Sequence, residues 1–160
     1  QRGPENVWGS AATGCSLALL SCLWPNFLNL FMVGFASSFT AKLSDTFSSE
    51  IGKRFGKRTF LITTLKPVAP GTEGAISIEG SVAGFLGSLI MTVVMIHLSI
   101  ISGISLAFIV LLSGFLATFI ESYIGAVAQN KLNWMTNELV NSIQTSLAAI
   151  ISIYLCLIFI

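Results

Sequence analysis

The chain has 160 residues, of which 54% are hydrophobic and only 9% charged, with a formal net charge of +1 and a mean hydropathy of +0.85. A soluble domain carries roughly 25% charged residues, so this composition excludes a globule coated in water. A net charge this small selects no partner by itself, and no nucleic-acid partner is expected.

A membrane crossing takes ~20 helical residues, so the length leaves room for one membrane domain, 1–160, and no separate soluble one. The chain opens at Gln1, with no Met and no basic leader ahead of an apolar core, so it is expected to be processed or incomplete at its start. A first helix is predicted from Asn6 to Trp24, ended by the turn signal Pro25-Asn26. Apolar residues resume at Phe27 and run to Ala41, and their helical period persists to Phe55. Gly56 to Glu79 is polar, holds Pro67, Pro70, Gly71 and Gly74, and reads as a folded loop. A third helix is predicted from Gly80 to Leu98 and a fourth from Ile104 to Val127, joined by an uncharged turn at Ser99–Gly103. The polar connection Gln129–Asn133 leads to a last helix from Thr136 to Ile160. The expected fold is therefore an all-α, polytopic transmembrane bundle of about five membrane-spanning helices with one polar loop.

Charge is distributed unevenly along this topology. Arg2 and Glu5 precede the first helix, ten charged residues lie between Lys42 and Glu79, and Glu121, Lys131 and Glu138 flank the connection after the fourth helix. The other turns and the end of the chain carry none. With five spans every charge falls on one side, which the excess of Lys and Arg assigns to the cytoplasm or a plastid stroma. Anchoring needs a few basic residues. It does not need acids at the same loops.

The densest cluster is Lys42-Leu43-Ser44-Asp45-Thr46-Phe47-Ser48-Ser49-Glu50-Ile51-Gly52-Lys53. At 100° per residue Lys42, Asp45, Thr46, Ser49 and Lys53 share one helical face, with Glu50 at its edge. Carboxylates among hydroxyls suit a hard cation such as Mg²⁺, which prefers oxygen ligands. A solvated helix end with snorkelling lysines explains the stripe equally well. In the loop, Lys53, Arg54, Lys57 and Arg58 lead to Lys66-Pro67-Val68-Ala69-Pro70-Gly71-Thr72-Glu73-Gly74. Glycines let backbone N–H groups approach phosphate oxygens, which basic side chains neutralise. The alternative is a basic loop touching anionic lipid; Glu73 and Glu79 speak against it, since carboxylates would repel lipid phosphates.

The remaining features are plainer. Gly114, Ala117, Thr118, Glu121 and Gly125 share a face of the fourth helix, where an acid near a bilayer is a functional candidate by its cost. Asn137, Asn141, Gln144, Thr145, Ala148 and Ser152 share a face of the fifth and read as interhelical hydrogen bonding. Gly80, Gly84, Gly87 and Ser88 read as small packing positions, His97 as a far-side surface residue, and Trp8, Trp24 and Trp134 as an interfacial belt. Cys15, Cys22 and Cys156 lack a C-x-x-C pair and are expected as buried small hydrophobes.

Several ordered motifs carry a resemblance: Arg2-Gly3-Pro4-Glu5-Asn6-Val7-Trp8-Gly9-Ser10, Ser44 to Lys53, Val68-Ala69-Pro70-Gly71-Thr72-Glu73-Gly74-Ala75, Glu121-Ser122-Tyr123-Ile124-Gly125-Ala126 and Thr136-Asn137-Glu138. Together they resemble the membrane family that contains the plant and cyanobacterial phytyl-phosphate kinases, over nearly the whole chain. A more distant likeness is to phytol and dolichol kinases, to whose cytidine-nucleotide motifs Gly52–Lys57 and Lys66…Glu73-Gly74 look similar. Members of the family usually have helical sequence before the Arg-Gly-Pro-Glu-Asn stretch, so the chain is expected to lack N-terminal helices.

The resemblance implies phosphoryl transfer from CTP, with Mg²⁺, to phytyl monophosphate, giving the phytyl diphosphate used for tocopherol and phylloquinone, in a chloroplast (thylakoid or envelope) or cyanobacterial membrane. On it the expected catalytic set is Asp45, Glu50, Lys53, Lys66 and Glu73, with Lys57, Gly71, Thr72 and Gly74 on nucleotide phosphates and Asp45, Glu50 and Glu121 on the metal. The expected partners are a prenyl phosphate lipid, a nucleotide and membrane lipids. Two other readings stand beside it: a non-catalytic subunit of a larger, photosynthetic membrane complex, and a transporter.

Overall fold

The computed structural model describes residues 4–129, 132 and 134–160; Arg2, Gly3, Lys131 and the rest of the Asn130–Asn133 stretch other than Leu132 lie outside the described residues. Five helices form, α1 Pro4–Leu23, α2 Leu28–Phe55, α3 Ile78–His97, α4 Ile104–Ile124 and α5 Asn137–Phe159. Their starts are written locally. Pro4, which has no N–H to leave unpaired, opens α1. Ser77 caps α3 by accepting from the Gly80 N–H at 3.0 Å, and Thr136 caps α5 by accepting from the Leu139 N–H at 3.3 Å. A five-residue π-helical turn, Gly125–Gln129, continues α4.

The bundle is built around α2, which packs against all four other helices. Small residues bring α3 onto it: a Cβ on Gly80 would lie 2.8 Å from the Ser48 carbonyl oxygen, and one on Gly87 2.9 Å from that of Leu43. Hydroxyls and an amide tie the remaining pairs. Thr118 donates to Ser44 at 2.9 Å, joining α4 to α2, and Gln144 donates to the Ala41 carbonyl at 3.3 Å, joining α5 to α2. Thr13 on α1 bonds Thr145 and Ser146 on α5 at 3.0 and 2.9 Å, and Ser88 on α3 donates to the Leu111 carbonyl on α4 at 2.7 Å. Without a hydrophobic force between helices in lipid, close packing and such bonds are what hold a bundle together.

Polarity divides the bundle along its length. Val33, Ala36, Met95, Ile101, Ile109 and Val110 form an apolar core where α2 and α4 begin and α3 ends. The charged residues of α2, the loop, the end of α4 and the start of α5 lie toward the other end. His97 sits exposed at the far end of α3, as its place in the sequence suggests.

One expectation is corrected. Among the described residues three helices, not five, are long and apolar enough to cross a membrane: Ile78–His97, Ile104–Gln129 and Asn137–Phe159. Their outer faces are apolar, as along Val82, Phe85, Leu86, Leu89, Ile90 and Val93 of α3. α2 carries five charged residues on its second half: Lys42 and Asp45 are part-buried among the other helices, and Glu50, Lys53 and Arg54 are exposed on its last turns beyond the apolar core. α1 is likewise too rich in Ser, Thr and Asn. The fold is an all-α polytopic membrane bundle of five helices. A second correction concerns Cys15 and Cys22, which are free thiols exposed on α1 rather than buried.

Close approach of α2 and α4 depends on Gly114, where a Cβ would press on Thr40 and lie 2.9 Å from the Ala41 nitrogen. Gly114→Val should therefore force these helices apart at a cost of about 1–3 kcal/mol, read as a lower melting temperature in detergent. An unchanged melt would contradict the crossing.

Candidate functional site

Among the described residues, a cavity of about 830 Å³ gathers side chains from α1, α2, α4, α5 and the loop. Its construction follows from α2. Because α2 runs on to Phe55, its polar stripe projects past the apolar core, and Lys42, Asp45, Thr46, Ser49, Glu50 and Lys53 all line the cavity. α5 adds Asn137 and Asn141, α4 adds Glu121 and Ser122, and α1 adds Asn6 and Ser10.

The loop closes the cavity from the outside. A two-stranded antiparallel ladder, β1 Phe60–Leu61 with β2 Ala75–Ile76, ties its two ends together, pairing Phe60 with Ile76 and Leu61 with Ala75. Thr59 caps the arrangement by donating to the Val68 carbonyl. Between the strands Gly71 and Gly74 both take positive φ, 87° and 77°, a conformation glycine adopts without strain. Gly74 is also pressed against α4: a Cβ there would collide with that of Ala126 and lie 2.6 Å from the Ser122 carbonyl oxygen. This contact sets Gly71, Thr72, Glu73 and Gly74 on the cavity wall. The stem of Lys53 lies alongside, its Cε 4.0 Å from where a Gly71 Cβ would sit.

The electrostatics are dominated by acids. Asp45, Glu50, Glu73 and Glu121 line the cavity against only Lys42 and Lys53. Lys42 donates to Asp45 Oδ2 at 2.8 Å and to Asn141 Oδ1 at 2.9 Å, which locks α2 to α5 through a charge-assisted pair. It is the one ion pair formed among the described residues. Glu121, with the Ser122 hydroxyl donating to it at 3.4 Å, lines the same cavity as Asp45, Lys42 and Glu73.

Of the residues singled out from sequence, Asp45, Glu50, Lys53, Gly71, Thr72, Glu73, Gly74 and Glu121 therefore share one cavity. Lys57 and Lys66 do not. Lys57 is exposed beside Arg58, Phe60 and Pro67 at a separate, smaller hollow, and Lys66 is exposed at the turn between the strands. Sequence reasoning passed over Lys42 as a ligand-facing cation, together with Asn6, Ser10, Asn137 and Asn141. Lys42 and Asn141 each stood on a polar stripe; only the packing of α2 on α5 shows that the two stripes meet.

No group of three or more His, Cys, Asp or Glu side chains able to hold a metal occurs among the described residues. Magnesium bound with a nucleotide asks for less, since one or two carboxylates suffice when phosphates and water complete the shell. The donor set fits that case. Asp45 has a second oxygen beyond its pair with Lys42, and Glu50 and Glu73 form no ion pair among the described residues. An excess of carboxylate would repel a polyphosphate, and a divalent cation carried with it removes the repulsion.

An all-α bundle with an acid-lined cavity at one end defines an integral membrane protein with a polar, ligand-sized site. The chain belongs to the family described as integral membrane protein DUF92, whose profile matches residues 1–149, consistent with the phytyl-phosphate kinase-like likeness of its motifs. It is 51% identical over 154 residues to the uncharacterized membrane protein sll0875 of Synechocystis and 47% identical over 158 residues to the chloroplastic protein VTE6 of Arabidopsis thaliana. It is 34% identical over 152 residues to the uncharacterized membrane protein MJ0933 of Methanocaldococcus jannaschii. The matches cover 96%, 96% and 95% of this chain but 59%, 47% and 61% of those relatives, so the chain spans about half the length of the proteins it matches. No solved structure matches.

Proposed function

We propose that the chain carries the active site of a membrane prenyl-phosphate kinase, which moves the terminal phosphoryl group of CTP onto phytyl monophosphate to give phytyl diphosphate and CDP. The observation that supports this most is the convergence of Asp45, Glu50, Lys53, the Gly71–Gly74 turn and Glu121 on one cavity. Kinship with a chloroplastic plant protein and a cyanobacterial one supports the setting, a chloroplast or cyanobacterial membrane; the lipid is the one that the likeness of the motifs implies.

The chemistry asks little of the protein beyond placement. An oxygen of the lipid monophosphate, already ionised at neutral pH, attacks the γ-phosphorus of the nucleotide. A new P–O bond forms there, the bond to the β-phosphate oxygen breaks, and the electron pair leaves with CDP. No histidine or cysteine is needed, because such transfers run on alignment and charge neutralisation. Lys53 meets the nucleotide phosphates, and the positive-φ turn at Gly71 and Gly74 gives them close access to backbone N–H groups. One or two of Asp45, Glu50 and Glu121 would hold the magnesium, directly or through water, with nucleotide phosphates completing its shell. When bound, the metal neutralises the charge gathered on the transferring group. Acids at the bilayer edge keep the site polar, while the outer helices leave the prenyl chain in lipid.

Because Lys53 lies on the wall and Lys57 off it, Lys53→Ala should raise KM for the nucleotide about tenfold, the scale of one hydrogen bond to a charged group. Lys57→Ala should stay within about twofold by the same reasoning. Steady-state kinetics over a range of CTP check both, and equal losses would contradict this placement of the nucleotide.

A further inference from the structure

The cavity is chemically two-sided. Its acids come from α2, the loop and α4, whereas α1 contributes Asn6, Val7, Ser10 and Ala11 and no charge. These four positions follow one another at i, i+1, i+4 and i+5, a single stripe along the helix. α1 packs on α2 and α5, the two helices that bring Lys42 and Asn141 together at 2.9 Å. Gly9 abuts the Glu138 backbone and Thr13 bonds Thr145 and Ser146, so the uncharged stripe runs alongside the stretch of α5 that holds Asn141.

Two features of this side point to a ligand. An ammonium has three N–H donors; Asp45 and Asn141 take two of those of Lys42, which lines the cavity with the third still to give. Val7 lines the cavity and is nevertheless 66% exposed, next to Trp8 at 68%. The wall therefore passes without a barrier from the polar interior to the apolar outside of α1. A recess with a cation and amides inside and an apolar edge outside matches an amphipathic molecule with an anionic head.

We infer that Lys42, Asn141 and the α1 stripe form the acceptor subsite, at which a lipid monophosphate enters sideways between α1 and α2. Its phosphate meets Lys42, with the Asn6 amide as a further donor, and its chain leaves over Val7 and Ala11. Asp45 joins the two halves of the cavity, pairing with Lys42 on one side and standing beside the nucleotide half on the other. In naming the acceptor's position this rests on the kinase reading, but binding of a single-chain lipid monophosphate can be measured without turnover.

The test uses purified protein in phosphatidylcholine vesicles and a geranylgeranyl-length prenyl monophosphate bearing a diazirine close to its head. Crosslinks should map to residues 7–11 of α1, and excess prenyl monophosphate should compete them away while inorganic phosphate does not. Val7→Trp places a large ring in the proposed path at an exposed position that need not disturb folding. It should lower crosslinking and raise KM for the lipid about tenfold, leaving KM for CTP unchanged. Lys42→Met should lower crosslinking of the monophosphate by a similar factor but not that of the matching prenyl alcohol. Crosslinks centred on Lys57 and Arg58, labelling indifferent to both substitutions, or displacement by inorganic phosphate as effective as by lipid would overturn the subsite, even if the protein makes diphosphate. Crosslinking at α1 with no product would leave the subsite in place and remove the kinase instead.

Discussion

Asp45→Asn is expected to abolish CTP-dependent phosphorylation of phytyl monophosphate, by about 10²–10³-fold or more in kcat, while the protein remains in the membrane at its usual level. Asn occupies nearly the same volume and can still accept from Lys42, so the bond between α2 and α5 keeps its geometry. What disappears is the negative charge. Asp45 Oδ2 compensates the Lys42 ammonium, and its other oxygen is the one assigned to the nucleotide's metal. Neither role survives in a neutral amide. Removing one partner of a buried ion pair also costs about 3–5 kcal/mol when the remaining charge finds no other partner, but this pair is part-buried and Lys42 keeps its bond to Asn141. Expression and melting temperature in detergent should therefore change less than activity does. Retained activity would refute the role given to Asp45.

The second large effect is expected at Gly74. Its φ of 77° puts Gly74→Ala in a region that costs an L-residue roughly 1–2 kcal/mol. The added Cβ would also run into Ala126 and the Ser122 carbonyl, both backbone-anchored positions at the end of α4 that cannot swing aside. The loop must then lift from α4, which takes Gly71, Thr72 and Glu73 off the cavity wall together. Gly74→Ala should lose nearly all activity and expose the 62–74 segment to limited proteolysis. Gly103→Ala makes a sharp control. Gly103 has the same positive φ, 88°, but nothing within 4 Å of its Cβ position and no place in the cavity, so it should cost some stability and leave kinetics alone. If Gly74→Ala behaves like Gly103→Ala, the docking of loop on helix plays no part in the site.

The helices were legible because apolar period and turn residues are local signals. Pro25, the Ser99–Gly103 turn and Thr136 mark boundaries that the chain itself encodes, and the predicted ends agree with the observed ones within a few residues. The number of membrane spans was less legible. The apolar period of α2 continues past Ala41, but its second half carries five charged residues, Lys42 and Asp45 part-buried against the other helices and Glu50, Lys53 and Arg54 exposed. Most of the cavity wall could be read from the α2 stripe and the glycine-rich loop. Lys57 and Lys66 could not be told from Lys53 by composition; the short β1–β2 ladder turns them outward, and two-residue strands leave almost no trace in a sequence. Lys42 and Asn141 come from positions 99 residues apart, and only tertiary packing makes them neighbours.

The most direct measurement incubates the purified protein with labelled CTP or ATP, Mg²⁺ and a panel of prenyl monophosphates, and follows the label into lipid. We expect Mg²⁺-dependent transfer from CTP to phytyl monophosphate, giving the diphosphate, lost on Asp45→Asn. Absence of label in every lipid diphosphate, from a protein that is folded and in its membrane, would contradict a phosphoryl-transfer site in this cavity.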